Sequence, residues 1–138
     1  MDSYDYASSI YKLHLVSNNE VNTLRKSLLE VGPGDSGLSI LFAWKDGFDF
    51  VSLLDKDISN VISKIDIITK YEDCKLEYLI KNDKQVTFIL KSSKLGEIHV
   101  DVIQTSFQNE ITYKPRCKFT HAFSNAVLQH MEENEIVN

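Results

Sequence analysis

The stretch CKLEYLIKNDKQVTFILKSSKLGEIHVDVIQTSFQNEITYKPR, residues 74–116, decides the fold, because apolar and polar residues alternate along it. A period of two is the pattern of a β-strand that buries one of its faces. The alternating segments are 76–80, 86–90, 98–102 and, before Pro115, 111–113. We therefore expect consecutive antiparallel strands. The side chains expected to share one buried face are Leu76, Tyr78, Ile80, Val86, Phe88, Leu90, Ile98, Val100 and Val102.

The same alternation predicts the register of these strands. All apolar positions carry even numbers, so the numbers of facing residues must add to an even number if the apolar sets are to share a face. Pairing Lys81 with Gln85 leaves a three-residue loop, and pairing Lys91 with Glu97 leaves a five-residue turn. Lys91 and Glu97 should then form a cross-strand charge pair.

The opposite face of the predicted strands is not purely polar. It carries Leu79, Ile89 and Ile103 among charged residues. These side chains are either isolated surface apolar residues, which are common, or a patch covered by the N-terminal segment or by a partner.

Glu97, His99 and Asp101 project from this opposite face of one strand, where they could ligate a metal or form an acid–base pair. Alternate residues on a strand lie about 6.6 Å apart, so only two of them reach one metal. No second histidine cluster lies nearby in the sequence, and Cys74 and Cys117 have no adjacent activating group. We expect no catalytic site, no metal site and no cofactor, and hence no enzyme.

The N-terminal third predicts three further elements. Residues 1–7 are expected to be disordered or only lightly docked, and residues 9–16 to form a strand. Ser17 and Glu20 form a capping-box pattern, which predicts a helix whose apolar stripe ends before Gly32. The stripe consists of Val21, Leu24, Leu28 and Val31.

Residues 32–37, GPGDSG, match the spacing G-x-G-x-x-G. A phosphate-binding interpretation of this spacing requires a strand before the glycines and a helix after them. The pattern predicts the reverse order here, a helix before and a strand after. On that expectation the segment is a helix-to-strand connector.

Residues 38–44 are strongly apolar and predict a buried strand, which Lys45-Asp46-Gly47 joins as a hairpin to a strand over 48–54. A second helix should follow, capped by Asp55 or Asp57, with a closing helix from Phe119 and a frayed end at 134–138. The second helix is predicted from Ile58, Val61, Ile62, Ile65 and Ile68, which recur at helical spacing. Together these elements predict an α+β fold: one two-layer domain over 1–138, with a mostly antiparallel sheet packed by about three helices.

Charge is distributed unevenly along the 138 residues. The chain has a net charge of −5, although the segment 74–117 holds seven basic and five acidic residues. An acidic surface argues against direct binding to nucleic acid or to an anionic membrane and suits a basic protein partner. With two cysteines, no secretory signal and no long apolar stretch, we expect a cytoplasmic location.

The order of elements resembles that of small cytoplasmic immunity proteins, which accompany the polymorphic and contact-dependent inhibition toxins of bacteria. The resemblance covers residues 55–133: a helix to Tyr71, four strands and a closing helix from Phe119. It implies a protein that binds one cognate toxin domain, often a nuclease, and blocks it. A basic nuclease cleft would accept the carboxylates of an acidic inhibitor.

Two other functions are compatible with the sequence. Chaperones of bacterial secretion effectors are also small, acidic and α+β. A small-ligand-binding protein or an enzyme would use the face that carries Glu97, His99 and Asp101. The oligomeric state cannot be deduced from the sequence.

For partner binding, the sequence points first to the segment around Asp46-Gly47, where acidic residues lie beside aromatic ones. The simpler interpretation is that Asp46 favours a turn and that Asp55 or Asp57 caps a helix. The candidate partner-binding residues are Asp46, Asp49, Asp55, Asp57, Glu72, Asp73, Trp44 and Phe48.

Overall fold

Seven strands form one mixed sheet in the computed structural model, which describes residues 3–17, 26–32, 37–105 and 119–124. The strands are β1 (Val16–Ser17), β2 (Ser27–Val31), β3 (Phe50–Asp55), β4 (Lys75–Lys81), β5 (Gln85–Ser92), β6 (Gly96–Gln104) and β7 (His121–Ser124). The helices are α1 (Ser3–His14), α2 (Leu38–Lys45), α3 (Ser59–Lys64) and α4 (Ile68–Tyr71), and a 3₁₀ turn at Ile65–Ile67 joins the last two.

The strand order is β1-β7-β2-β3-β6-β5-β4. The four consecutive strands β7, β2, β3 and β6 are parallel to one another, whereas β1 on one side and β5 and β4 on the other pair antiparallel. The α+β class is therefore confirmed, and the sheet is mixed rather than mostly antiparallel. Parallel pairing arises because β2 and β3 are joined by a helix rather than by a hairpin.

The register predicted for β5 and β6 is confirmed. Lys91 faces Glu97 in the ladder, and their charged groups lie 3.7 Å apart. Gly96 closes the turn with a φ of 83°, a conformation that favours glycine. The predicted buried residues of these two strands are all fully buried: Val86, Phe88, Leu90, Ile98, Val100 and Val102.

Strand β4 departs from the prediction. Its first half keeps the predicted register, with Tyr78 facing Phe88, but the register then shifts so that Ile80 faces Thr87. Because of this shift, the predicted pairing of Lys81 with Gln85 is replaced by Lys81 with Val86. Tyr78 and Ile80 are 37% and 43% exposed, so they do not belong to the buried face. The reason is position: β4 is the outermost strand, and the bulge turns its second half over.

The described helices pack against one face of the sheet and form a single core with it. Apolar side chains of α1, α2, α3 and α4 join those of the sheet in one cluster. The members contributed by the helices include Tyr11, Ile40, Leu41, Trp44, Val61, Ile65 and Ile68, and those contributed by the inner strands include Leu28, Val51, Leu53, Val100 and Val102. This arrangement is the two-layer architecture that the sequence predicted.

The N-terminal expectations are wrong. Residues 3–7 belong to a packed helix rather than to a disordered or lightly docked tail, and 9–16 are not a strand, because α1 spans Ser3–His14. Tyr4 packs on Phe42 with ring centroids 5.2 Å apart, and Tyr11 is 2% exposed. The alternation of Tyr11, Leu13 and Leu15 was misleading because Leu13 is 74% exposed on the outer side of the helix.

The next two elements are exchanged relative to the prediction. Ser27–Val31 is a strand rather than the end of a helix, and Leu38–Lys45 is a helix rather than a strand. The capping-box residues lie largely outside the described residues. A continuous apolar run such as 38–44 fits a buried helix as well as a buried strand, so periodicity cannot distinguish them. The Asp46-Gly47 turn exists, but it connects α2 to β3 and closes no hairpin.

The isoleucine stripe of the second predicted helix is confirmed. Ile58, Val61, Ile65 and Ile68 are each at most 1% exposed. Asp57, one of the two predicted caps, accepts hydrogen bonds from the backbone N–H and the hydroxyl of Ser59. None of the helices in the described ranges is long and apolar enough to cross a membrane.

The predicted closing helix does not begin at Phe119, since His121–Ser124 forms β7 between β1 and β2. Its remainder, the frayed end expected at 134–138 and the short strand expected at 111–113 lie outside the described residues.

Candidate functional site

The carboxyl ends of the parallel strands β2, β3 and β6 lie level at one edge of the sheet. The N–H of Gly32, just after β2, donates to the carbonyl of Leu54 at 2.8 Å. The N–H of Thr105, just after β6, donates to the carbonyl of Asp55 at 2.8 Å. In sheets with parallel strands and crossover helices, ligands bind outside this edge, where neighbouring connections leave in opposite directions.

Strand β2 is followed by α2, which leads to its parallel neighbour β3, and β7 pairs with β2 on the other side. The candidate site is therefore the edge formed by the end of β2, the start of α2 and the end of β3, which we call the β2–β3 edge.

The glycine-rich segment lies at the β2–β3 edge. Strand β2 ends at Val31 immediately before it, and α2 begins at Leu38 immediately after it. The order is thus strand, glycines, helix, and the prediction of the reverse order is wrong. The ground for setting aside a phosphate- or nucleotide-binding interpretation is removed with it. Pro33, Gly34, Asp35 and Ser36 lie outside the described residues.

Of the two described glycines, Gly32 is placed as this arrangement requires. Gly32 has a φ of 73°, which lets the chain turn sharply out of the strand. Gly37 is buried directly before α2, and a Cβ at its position would lie 3.7 Å from the carbonyl oxygen of Lys64. The start of α2 therefore lies close to the end of α3. The N-terminus of α2 carries the positive end of the helix dipole.

Asp55 supplies a carboxylate at the same edge. It is the last residue of β3, about 20 residues after the glycines, and it is half-buried. Its Oδ1 accepts a hydrogen bond from the backbone N–H of Lys56 at 2.7 Å. An acid at this place in a strand–glycines–helix–strand unit is positioned to bind ribose hydroxyls.

Glu30 is the second carboxyl group of the edge and is 3% exposed. The Ser39 hydroxyl donates to its Oε1 at 2.5 Å. Burial raises the pKa of Glu30 to about 8, the Ser39 hydrogen bond opposes that rise, and the negative charge of Asp55 adds to it. At neutral pH the Glu30 carboxyl is therefore mostly protonated.

The acidic candidates for partner binding do not form one patch. Asp46 and Asp49 precede β3, whereas Asp55 and Asp57 lie at and beyond its end. A strand of this length separates the two groups by about 20 Å. Asp46 is further engaged by Tyr11, whose hydroxyl donates to its Oδ2 at 3.1 Å.

The other candidates for partner binding are mostly structural. Trp44 and Phe48 are each 2% exposed, so neither side chain can serve as a surface anchor. Glu72 is 9% exposed and accepts a hydrogen bond from the Ser92 hydroxyl at 2.9 Å. Asp73 is exposed and precedes β4.

Burial differs among the three residues of the row Glu97, His99 and Asp101. Asp101 is 3% exposed and accepts a hydrogen bond from the Thr87 hydroxyl at 2.8 Å. The Nε2 of His99 lies 3.6 Å from the Oε2 of Glu97, and both side chains are partly exposed. Among the residues that the structure describes, no group of three potential metal ligands comes together.

Glu30, Ser39 and Gly37 were not predicted as site residues, and Asp55 was predicted as a helix cap and as a partner-binding residue. The G-x-G-x-x-G spacing was the signal that could have identified them. It was discounted because the elements on either side of it were assigned the wrong way round.

Comparison with known proteins found no relative of the chain. No family model, no curated protein and no solved structure matches the chain. The resemblance to immunity proteins thus stays a prediction.

Proposed function

We propose that the β2–β3 edge binds a ligand that contains a ribose, as part of a nucleotide or a nucleoside. The observation that carries this proposal is the order of β2, a G-x-G-x-x-G segment, α2, β3 and a terminal Asp55. Gly32 lets the chain turn sharply at the end of β2, and the start of α2 presents the positive end of its dipole. The Asp55 carboxylate accepts hydrogen bonds from the ribose hydroxyls.

The proposal covers ribose-containing ligands with and without phosphates. Adenosine and S-adenosylmethionine carry the ribose without phosphates, whereas ATP and NAD add them. Titration calorimetry of the protein with each of the four compounds distinguishes these classes. We expect at least one to bind with a Kd below about 1 mM, that is, more tightly than about −4 kcal/mol. Failure of all four to bind would contradict the proposal.

Asp55→Asn tests the role assigned to the carboxylate. Asparagine keeps the acceptor for the Lys56 N–H but lacks the charge, so the fold should be kept while affinity falls about tenfold, as for loss of a charged hydrogen bond. Asp83→Asn, in the exposed β4–β5 turn, is the matched control and should bind like the unmodified protein. Equal ligand affinity of the two variants would show that Asp55 does not contribute to binding.

We also propose, as a second function, that the protein is a cytoplasmic immunity protein that neutralises a cognate toxin domain through acidic side chains. The net charge of −5 and the exposed carboxylates of Asp46, Asp57 and Asp73 support this proposal. Because the acids lie at opposite ends of β3, an interface would use one group of them only. Asp46 and Asp49 remain the first choice.

The second proposal is tested by co-purification with the product of the neighbouring gene. A bound toxin domain supports it, whereas a bound secretion effector indicates a chaperone. With the toxin in hand, Asp49→Lys should weaken the complex and flatten its salt dependence. Asp83→Lys is the control of equal charge change. Unchanged affinity for Asp49→Lys combined with Asp73→Lys would contradict the acidic interface.

A further inference from the structure

A buried hydrogen bond connects the two ends of the glycine-rich segment. Glu30 lies two residues before Gly32, and Ser39 lies two residues after Gly37. Their side chains meet at 2.5 Å, at 3% and 6% exposure. The bond therefore ties the end of β2 to the first turn of α2 across the whole connection.

This hydrogen bond is buried and directional, and it joins β2 to α2 directly. Apolar contacts in the core, by contrast, are not directional. The bond therefore contributes to the orientation of the first turn of α2 relative to β2. A carboxyl group is costly to bury, so its presence in the core calls for a reason other than stability.

We propose that the Glu30–Ser39 hydrogen bond is a positioning clamp that sets the geometry of the β2–β3 edge and thereby the affinity of the ligand site. The inference rests on the proposed ribose-binding function for its effect on affinity, but the clamp itself can be tested without a ligand. Glu30 and Ser39 are positioning residues, because they act through the backbone of the glycine-rich segment and of α2.

The clamp also makes the site sensitive to pH. The described ionisable groups that act on Glu30 or respond to its charge are Asp55 on β3 and Tyr11 on α1. Neither supplies a positive charge that would stabilise an ionised Glu30. With a pKa of about 8, the carboxyl loses its proton as the pH rises through that value and becomes an anion in the core near Asp55. Because Asp55 belongs to the proposed ligand site, repulsion between the two carboxylates should lower ligand affinity from pH 7 to pH 9.

Hydrogen exchange tests the clamp in the absence of ligand. At pH 7, Ser39→Ala should accelerate exchange of the backbone amides at the start of α2 and leave those of β5 and β6 unchanged. Ser63→Ala is the matched control: Ser63 lies in α3, is exposed, and donates to the carbonyl of Asn60. Exchange in α2 that is the same in Ser39→Ala and Ser63→Ala would overturn the clamp.

The pH dependence has its own reporter, because Trp44 is the only tryptophan and lies in α2. We expect its fluorescence to titrate with a midpoint near pH 8 in the unmodified protein. Glu30→Gln keeps an acceptor for Ser39 but cannot ionise, so the titration should disappear. A titration that persists in Glu30→Gln would assign it to another group and overturn the pH-sensitive clamp.

Affinity measurements with ATP and adenosine as probes test whether the clamp affects the ligand site. Ser39→Ala should weaken binding about three- to tenfold, the effect of one hydrogen bond, and Glu30→Gln should bind equally at pH 7 and pH 9. If neither probe nor the other two compounds binds the unmodified protein, the proposed function fails, while the exchange and fluorescence results still decide the clamp. If a probe binds and both variants match the unmodified protein, the clamp has no role in the site.

Discussion

At the scale of single residues, the main feature is the number of ionisable groups held in or beside the core. Glu30 is buried against Ser39, and Tyr11 is buried with its hydroxyl on Asp46. Burial raises the pKa of Tyr11 above its ordinary value, and the nearby charge of Asp46 adds to that rise. The indole N–H of Trp44 is also buried, without a partner within the described part of the chain. Buried polar groups of this kind reduce stability unless hydrogen bonds satisfy them.

The buried Glu30 predicts how the stability of the protein depends on pH. Its folded pKa of about 8 lies above the ordinary value of 4.5, so the folded protein holds a proton that the unfolded chain releases. Stability should therefore fall as the pH rises from about 5 to 8. Glu30→Gln should be about as stable as the unmodified protein at pH 5 and more stable by a few kcal/mol at pH 9. Urea unfolding at the two pH values measures this, and an equal pH dependence in both proteins would contradict it.

At the scale of elements, α1 is a structural part of the core rather than a tail. Tyr4 contacts Phe42 of α2 and Tyr71 of α4, with ring centroids 5.2 Å and 4.9 Å apart. Tyr11 contacts Phe42 as well, at 5.7 Å. The helix thus closes the outer side of α2, whose own residues are nearly all buried.

Removing residues 1–14 should consequently uncover α2. The loss of several buried aromatic contacts is expected to cost more than about 3 kcal/mol, comparable to deletion of a core aromatic residue. Thermal unfolding followed by circular dichroism should show a lower and broader transition for the truncated protein. Leu13→Ser provides the control, because Leu13 is 74% exposed and its replacement should leave the transition unchanged.

The antiparallel strands give a second prediction at this scale. Phe88 is fully buried at the centre of β5, whereas Lys91 is about half exposed and forms ion pairs of 3.8 Å with Glu77 and 3.7 Å with Glu97. Phe88→Ala should cost about 3–5 kcal/mol, and Lys91→Ala well under about 1 kcal/mol. Chemical denaturation measures both values. Small, equal losses would show that the buried face is assigned wrongly.

At the scale of the whole molecule, one apolar core joins the helices to the neighbouring strands β2, β3, β6 and β5. The parallel strands and the antiparallel strands contribute to the same cluster, since Val51 on β3, Val100 on β6 and Phe88 on β5 all belong to it. The two halves of the sheet should therefore not unfold separately.

This continuity predicts cooperative unfolding. Trp44 fluorescence reports on α2, and far-ultraviolet circular dichroism reports on the backbone as a whole. In urea, the two transitions should coincide with the same midpoint and slope, as expected for a two-state domain of this size. A fluorescence transition at clearly lower urea concentration would show that the helical layer separates from the sheet before the sheet unfolds.

The sequence by itself determined the parts of the fold that have a clean local period. The alternation along β5 and β6 identified the strands, their register and their buried face, because side chains on a strand point alternately to its two sides. The isoleucine stripe of residues 58–68 likewise identified a helical segment and its buried side. Both patterns depend on neighbouring residues only, so no knowledge of the rest of the molecule is required.

Only the tertiary structure decided the parallel centre of the sheet and the candidate site. Residues 38–44 are all buried, so this apolar run carries no period that separates a helix from a strand. Once it is a helix, β2 and β3 become parallel neighbours, and Glu30, Gly37 and Asp55 come to one edge. The same topology places Asp49 and Asp55 at opposite ends of β3. Which strands pair, and therefore which side chains meet, depends on contacts between residues far apart in the chain, and no local pattern records those contacts.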